Sequence, residues 1–130
     1  MIGKVISALL KANAPLLLLV PTGNIYPYVI NENTTLPAIV YLIDSIKAEY
    51  TKDGWAGDDV TFSVISFEKD YAALQAIVTL VRTALELKSG TTASITYWNI
   101  LLESMMEGYN IDENVFLNKL TFSTHVESYS

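Results

Sequence analysis

The run VTFSVISFEKDYAALQAIVTLVRTALELKSG, residues 60–90, changes its hydrophobic period partway along, and that change decides the fold. Up to Phe67 the apolar residues alternate, with Val60, Phe62 and Val64 facing one way, which is the period of a strand. Beyond Asp70 the spacing lengthens. Tyr71, Leu74, Ile77, Val78, Val81 and Leu85 form one stripe of an amphipathic helix, with Asp70 as its N-cap and Ser89-Gly90 as its stop.

Working outward, Pro37 opens a second strand at a position where its missing N–H does no harm. From Ala38 to Tyr50, Ala38, Val40, Leu42 and Ile46 lie on one face and Ile39, Tyr41 and Ile43 on the other. This strand and Val60–Phe67 make an antiparallel pair joined by TKDGWAGDD, residues 51–59, read as a nine-residue loop. After the helix, 94–106 and 115–126 read as a second hairpin across a Glu107–Asn114 loop. At the N-terminus, Ile2, Val5, Ile6, Leu9 and Leu10 form another helical stripe, which Pro15 stops or restarts. Leu16–Val20 is taken as a last turn packed into the core, followed by a turn at 21–24, a short extended piece at 25–28 and a polar loop at 31–35. The order α-β-β-α-β-β predicts an α+β fold, a mostly antiparallel four-stranded sheet with two helices packed on one face, in a single domain spanning 1–130.

The chain has 130 residues, 51% of them apolar and 17% charged, with a mean hydropathy of +0.31. So little charge on so small a protein predicts that other copies or partners cover some apolar surface. Eight Lys and Arg against fourteen Asp and Glu give a net charge of −6, which argues against a phosphate-tracking nucleic-acid binder. Disorder is excluded by the apolar content. Without cysteine there is no disulfide framework and no cysteine-zinc site. Residues 1–20 have the outline of a secretory leader, but Lys11 and Asn13 break the apolar run, so the segment is read as folded. No apolar run reaches the ~18–20 residues that span a bilayer, and no membrane partner is expected.

The catalytic inventory is thin. His125 is the only histidine, so a two-histidine metal site does not fit within one chain, and a lone histidine near a strand's end is read as structural or solvent-facing rather than catalytic. Asp53, Asp58 and Asp59 share the first loop, yet their spacing is not that of an EF-hand. Gly54 and Gly57 bracket Trp55 without a phosphate-binding frame. No catalytic residue, metal or cofactor is assigned. Trp55 stands apart as a large aromatic in a Gly-flanked loop: it either contacts another molecule or caps the sheet end as the loop folds back. Trp55, with Asp53, Asp58 and Asp59 around it, is the candidate interface.

The ordered features resemble the tail completion and tail terminator proteins of long-tailed bacteriophages and prophages, also called minor tail or head–tail joining proteins. The resemblance runs over residues 2–87. It is carried by the N-terminal helix with its leucine-rich turn, Ile25-Tyr26-Pro27, Leu36-Pro37-Ala38-Ile39-Val40-Tyr41, Phe67-Glu68-Lys69-Asp70-Tyr71 and Val81-Arg82-Thr83-Ala84-Leu85. It implies a structural, non-enzymatic virion protein that forms a homo-oligomeric, hexameric ring at the head-proximal end of the tail, assembled in the bacterial host cytoplasm. Its partners would be copies of itself, the tail tube protein and the head connector, with DNA passing through without specific binding. The alternatives are a small-ligand-binding α+β module and an α+β interaction domain of another role.

Overall fold

A computed structural model of the chain describes residues 2–29 and 35–129; the loop expected at 31–35 lies, from 31 to 34, outside them. Helices α1 (Gly3–Lys11) and α2 (Ala14–Leu19) meet at Asn13, whose side chain accepts a hydrogen bond from the Leu16 N–H at 3.0 Å. Asn13 thus caps a new helix with Pro15 in its first turn, where a proline has no intrahelical bond to break. Val5, Ile6 and Leu10 of α1 are buried, as are Leu16 and Val20, whereas Leu18 is 87% exposed. A 3-10 turn (Thr22–Asn24) leads into β1 (Ile25–Pro27). Then come β2 (Ala38–Thr51), β3 (Gly54–Glu68), α3 (Tyr71–Leu85), β4 (Gly90–Thr92), β5 (Ile95–Asn110) and β6 (Val115–Tyr129).

The strands form one sheet in the order β1-β2-β3-β6-β5-β4, with β1 parallel to β2 and the other neighbours antiparallel. Helix α1 touches both β2, near one edge, and β4, at the opposite edge. The sheet therefore curls around the helices into a half-barrel.

The concave face holds the core. Val60, Phe62 and Val64 of β3 lie beside Leu120, Phe122 and Val126 of β6, all buried. Phe62 and Phe122 are direct cross-strand partners, and their rings stack at 5.4 Å. Over them lies the α3 stripe of Leu74, Ile77, Val78, Val81 and Leu85, joined by the buried residues of α1. Each large side chain taken fully out of water contributes about 1.5–3 kcal/mol, so this layer dominates the stabilising side. Asp70 occupies the N-cap position of α3, but its side chain makes no capping bond; the Glu68 carboxylate instead accepts from the Lys69 N–H at 2.7 Å. The helix ends at Leu85, ahead of Ser89-Gly90, and Gly90 opens β4.

The expected four-stranded antiparallel sheet with two helices is corrected, among the described residues, to a six-stranded mixed sheet with three helices, 53% strand. Strands β1 and β4 have three residues each, too few for a period to show, and β1 exists because its backbone pairs with β2. Helix α2 is separate from α1 because Asn13 caps it. Among the described residues no helix is long and apolar enough to cross a membrane.

Removing a ring from the centre of this layer should be expensive and trimming its rim should not. Phe62→Ala is expected to lower stability by about 3–5 kcal/mol, and Leu18→Ala by no more than about 0.5 kcal/mol. Urea unfolding of the two variants measures the contrast, and comparable losses would place Leu18 in the core.

Candidate functional site

Strands β2 and β3 stay paired well past the point where their apolar alternation ends. Tyr50 lies opposite Trp55 and Thr51 opposite Gly54, leaving a turn of only Lys52 and Asp53. The nine-residue loop expected at 51–59 is thus corrected: Gly54 to Asp59 belong to β3. A β-bulge between Glu49 and Tyr50 and positive φ at Gly54 (114°) and Gly57 (117°) let a polar, glycine-bearing stretch keep the ladder. Strand β6 joins β3 only from Asp58 onward, so the end of this hairpin projects as a two-stranded ribbon.

Its tip is aromatic and acidic. Tyr50 is 72% exposed and Trp55 45% exposed. The Trp55 indole N–H donates to Asp58 Oδ1 at 3.0 Å, which orients the ring along the ribbon. Strand alternation separates the carboxylates that the sequence grouped together. Asp53 sits in the turn, Asp58 lies beside Trp55, and Asp59 points to the opposite face. Among the described residues no group of three His, Cys, Asp or Glu side chains is arranged to hold a metal ion. Tyr50 went unread in the sequence, although its place mirroring Trp55 across the polar turn was a usable signal.

His125 fastens the ribbon at its root. Its Nδ1 lies 2.9 Å from Asp59 Oδ1 and its Nε2 lies 3.2 Å from the Ala56 carbonyl oxygen. Both partners are acceptors, so only the imidazolium donates to both at once. The hydrogen bond from His125 holds the Asp59 carboxyl below its ordinary range, and the bond to Asp59 holds the His125 imidazole above its own. Gly57 leaves room for this contact: a Cβ there would fall 2.5 Å from His125 Nε2 and 2.6 Å from the Val126 carbonyl oxygen.

The sheet face turned away from the helices is polar at its centre. Ser63 donates to Asp44, the extra residue at a bulge in β2, and contacts the Thr121 hydroxyl across the ladder. Ser123 donates to Glu103 on the same face. The second hairpin, β5–β6, runs longer than expected, to a turn at 111–114, and the antiparallel β3–β6 pairing aims it the other way. Met106 and Ile111 are exposed near its tip. An open cavity of about 760 Å³ lies between α1 and the β1–β2 edge, lined by Gly3, Lys4, Ser7, Tyr28, Tyr41 and Ile46 among others.

The root contact has a defined pH window. Because the folded His125 value is raised above 6.5, its contribution is full below that pH and is lost as pH rises through the folded value. Because the folded Asp59 value is lowered below 3.8, its contribution is present above that pH and is lost as pH falls. His125→Ala should therefore destabilise more at about pH 5.5 than at about pH 8.5, read by thermal unfolding; equal losses at both would refute the ionic contact. Gly57→Ala should cost about 1–3 kcal/mol through strain and displacement of His125, measured in the same assay.

No curated protein matches the chain. A chain in the solved structure titled "Virion of native gene transfer agent (GTA) particle" has the same fold, with a TM-score of 0.80 over 95% of this chain and 92% of that one, at 17% identity. The family described as tail completion protein gp17 matches residues 4–121. That match runs from α1 into the first half of β6, and by it the chain belongs to the tail completion protein gp17 family and is a structural protein of the virion tail.

Proposed function

We propose that the protein forms a ring that caps the tail tube and joins it to the head connector, without enzymatic activity, and that Trp55, Asp53 and Asp58 on the β2–β3 ribbon form its subunit interface. The observation that carries this reading is the ribbon tip. Tyr50, 72% exposed, and Trp55, oriented by Asp58, stand on a two-stranded projection and have the composition of an interface anchor. Asp59 supports the ribbon from its root through His125. Two hairpins pointing to opposite ends of one sheet suit a protein that meets different partners above and below.

A heterologous contact repeated around a rotation axis closes into a ring, and six copies is the stoichiometry we propose. The polar sheet face, with Asp44, Asp59 and Glu103 among hydroxyls, then faces the channel. The Asp44 and Glu103 carboxylates on that face repel phosphates and let DNA pass without adhering. The ring lies at the head-proximal end of the tail and assembles in the host cytoplasm.

Light scattering on the full chain, alone and with tail tube protein, is the test. The wild type should assemble with rising concentration or on the tube. Trp55→Ala should lose assembly while its monomer melting temperature stays within about 2 °C, since Trp55 lies outside the core cluster. A large drop in melting temperature would instead make Trp55 part of the core, and a wild type that stays monomeric in both settings would defeat the ring.

A further inference from the structure

Charge is distributed unevenly along the chain. Residues 2–29 carry Lys4 and Lys11 and no acidic residue, whereas 49–59 carry Glu49, Asp53, Asp58 and Asp59 against Lys52 alone. In a protein of net charge −6, the α1 flank is thus a local island of positive charge facing solvent. Lys4 stands at the wall of the 760 Å³ cavity between α1 and the β1–β2 edge, whose other walls include Tyr28, Tyr41, Ile43 and Ile46. Tyr28 is 59% exposed there, so this apolar groove is open to water in the monomer.

We infer that the groove between α1 and β2 is the receptor for the β2–β3 ribbon tip of a second copy, with Tyr50 and Trp55 entering the groove and the tip carboxylates meeting Lys4 and Lys11. The inference rests on the ring reading above and names the surface that receives the ribbon. Shape and chemistry match: an apolar cleft with a cationic rim takes an aromatic tip with an anionic rim. The chain's own ribbon cannot fill it. Tyr50 lies four residues beyond Ile46 on the same extended strand, so about 13 Å of stiff backbone carries the tip away from its own groove. A donor tip at one end of β2 and a receptor groove midway along it make a heterologous pair on each subunit, the kind of contact that propagates around a ring.

The chain has no cysteine, so introduced thiols report on single positions. Ser7→Cys places one in the groove and Lys52→Cys places one in the ribbon turn, leaving the aromatic and acidic residues intact. A bismaleimide added to an equimolar mixture of the two variants under assembly conditions should give covalent dimers, and neither variant alone should. Independently, Lys4→Glu should weaken assembly about fivefold, and Asp53→Lys in the same chain should restore it, as a solvent-screened ion pair does. Linkage in Lys52→Cys alone would mean tip-to-tip pairing, and linkage in Ser7→Cys alone would mean groove-to-groove pairing; either overturns the inference. If the wild type assembles but the mixture does not link and the charge swap does not rescue, the groove is wrong and the ring survives. If the wild type never assembles, both fall.

Discussion

The structure depends on the pairing of β3 with β6. Eleven cross-strand partners, from Asp58 with Val126 to Glu68 with Phe116, join two hairpins that are far apart in sequence. At their centre Phe62 and Phe122 stack, fully buried. Because the pairing is antiparallel, the two hairpins point in opposite directions. The same ladder sets which residues of both strands face the helices and which face away, since a slip of one residue would turn every side chain over.

Curvature follows from covering that core. The α1 and α3 stripes, with α2 packed against both helices, share one core with Phe62 and Phe122, and the sheet bends until α1 meets both β2 and β4. Bulges in β2 and β5 interrupt the ladder and add local bend and twist to those strands. The bulge at Asp44 also sets a carboxylate against Ser63 on the outer face. Core geometry and surface chemistry are linked at that one residue. The low overall charge likewise has a location: most of the exposed large apolar residues lie on the ribbon, on the α1–β2 edge and along β5.

Much of this was legible locally. The stripe from Leu74 to Leu85 and the alternation of Val60, Phe62 and Val64 are repeats within a few residues, and burial enforces them. The order of Ile25-Tyr26-Pro27, Leu36-Pro37 and Phe67–Tyr71 pointed to the family that matches the chain. Trp55 was singled out on composition, yet its setting was misread. Glycine and aspartate in TKDGWAGDD suggest a loop, and only the pairing of Glu49 with Gly57 and Tyr50 with Trp55 keeps the stretch extended. Strand β1 was legible only as a short extended piece at 25–28 and β4 not at all, because three residues cannot show a period.

Sequence alone determined the amphipathic helices, the two hairpins, the acid excess and the poverty of catalytic groups, because each is a matter of composition or short-range spacing. Tertiary structure alone decided the strand order, the curl of the sheet, the separation of Asp58 from Asp59 by face and the placement of His125 between Asp59 and the Ala56 carbonyl. Those contacts join residues up to 69 positions apart. They form through backbone pairing and the burial of a shared core, and neither leaves a local mark on the residues it brings together.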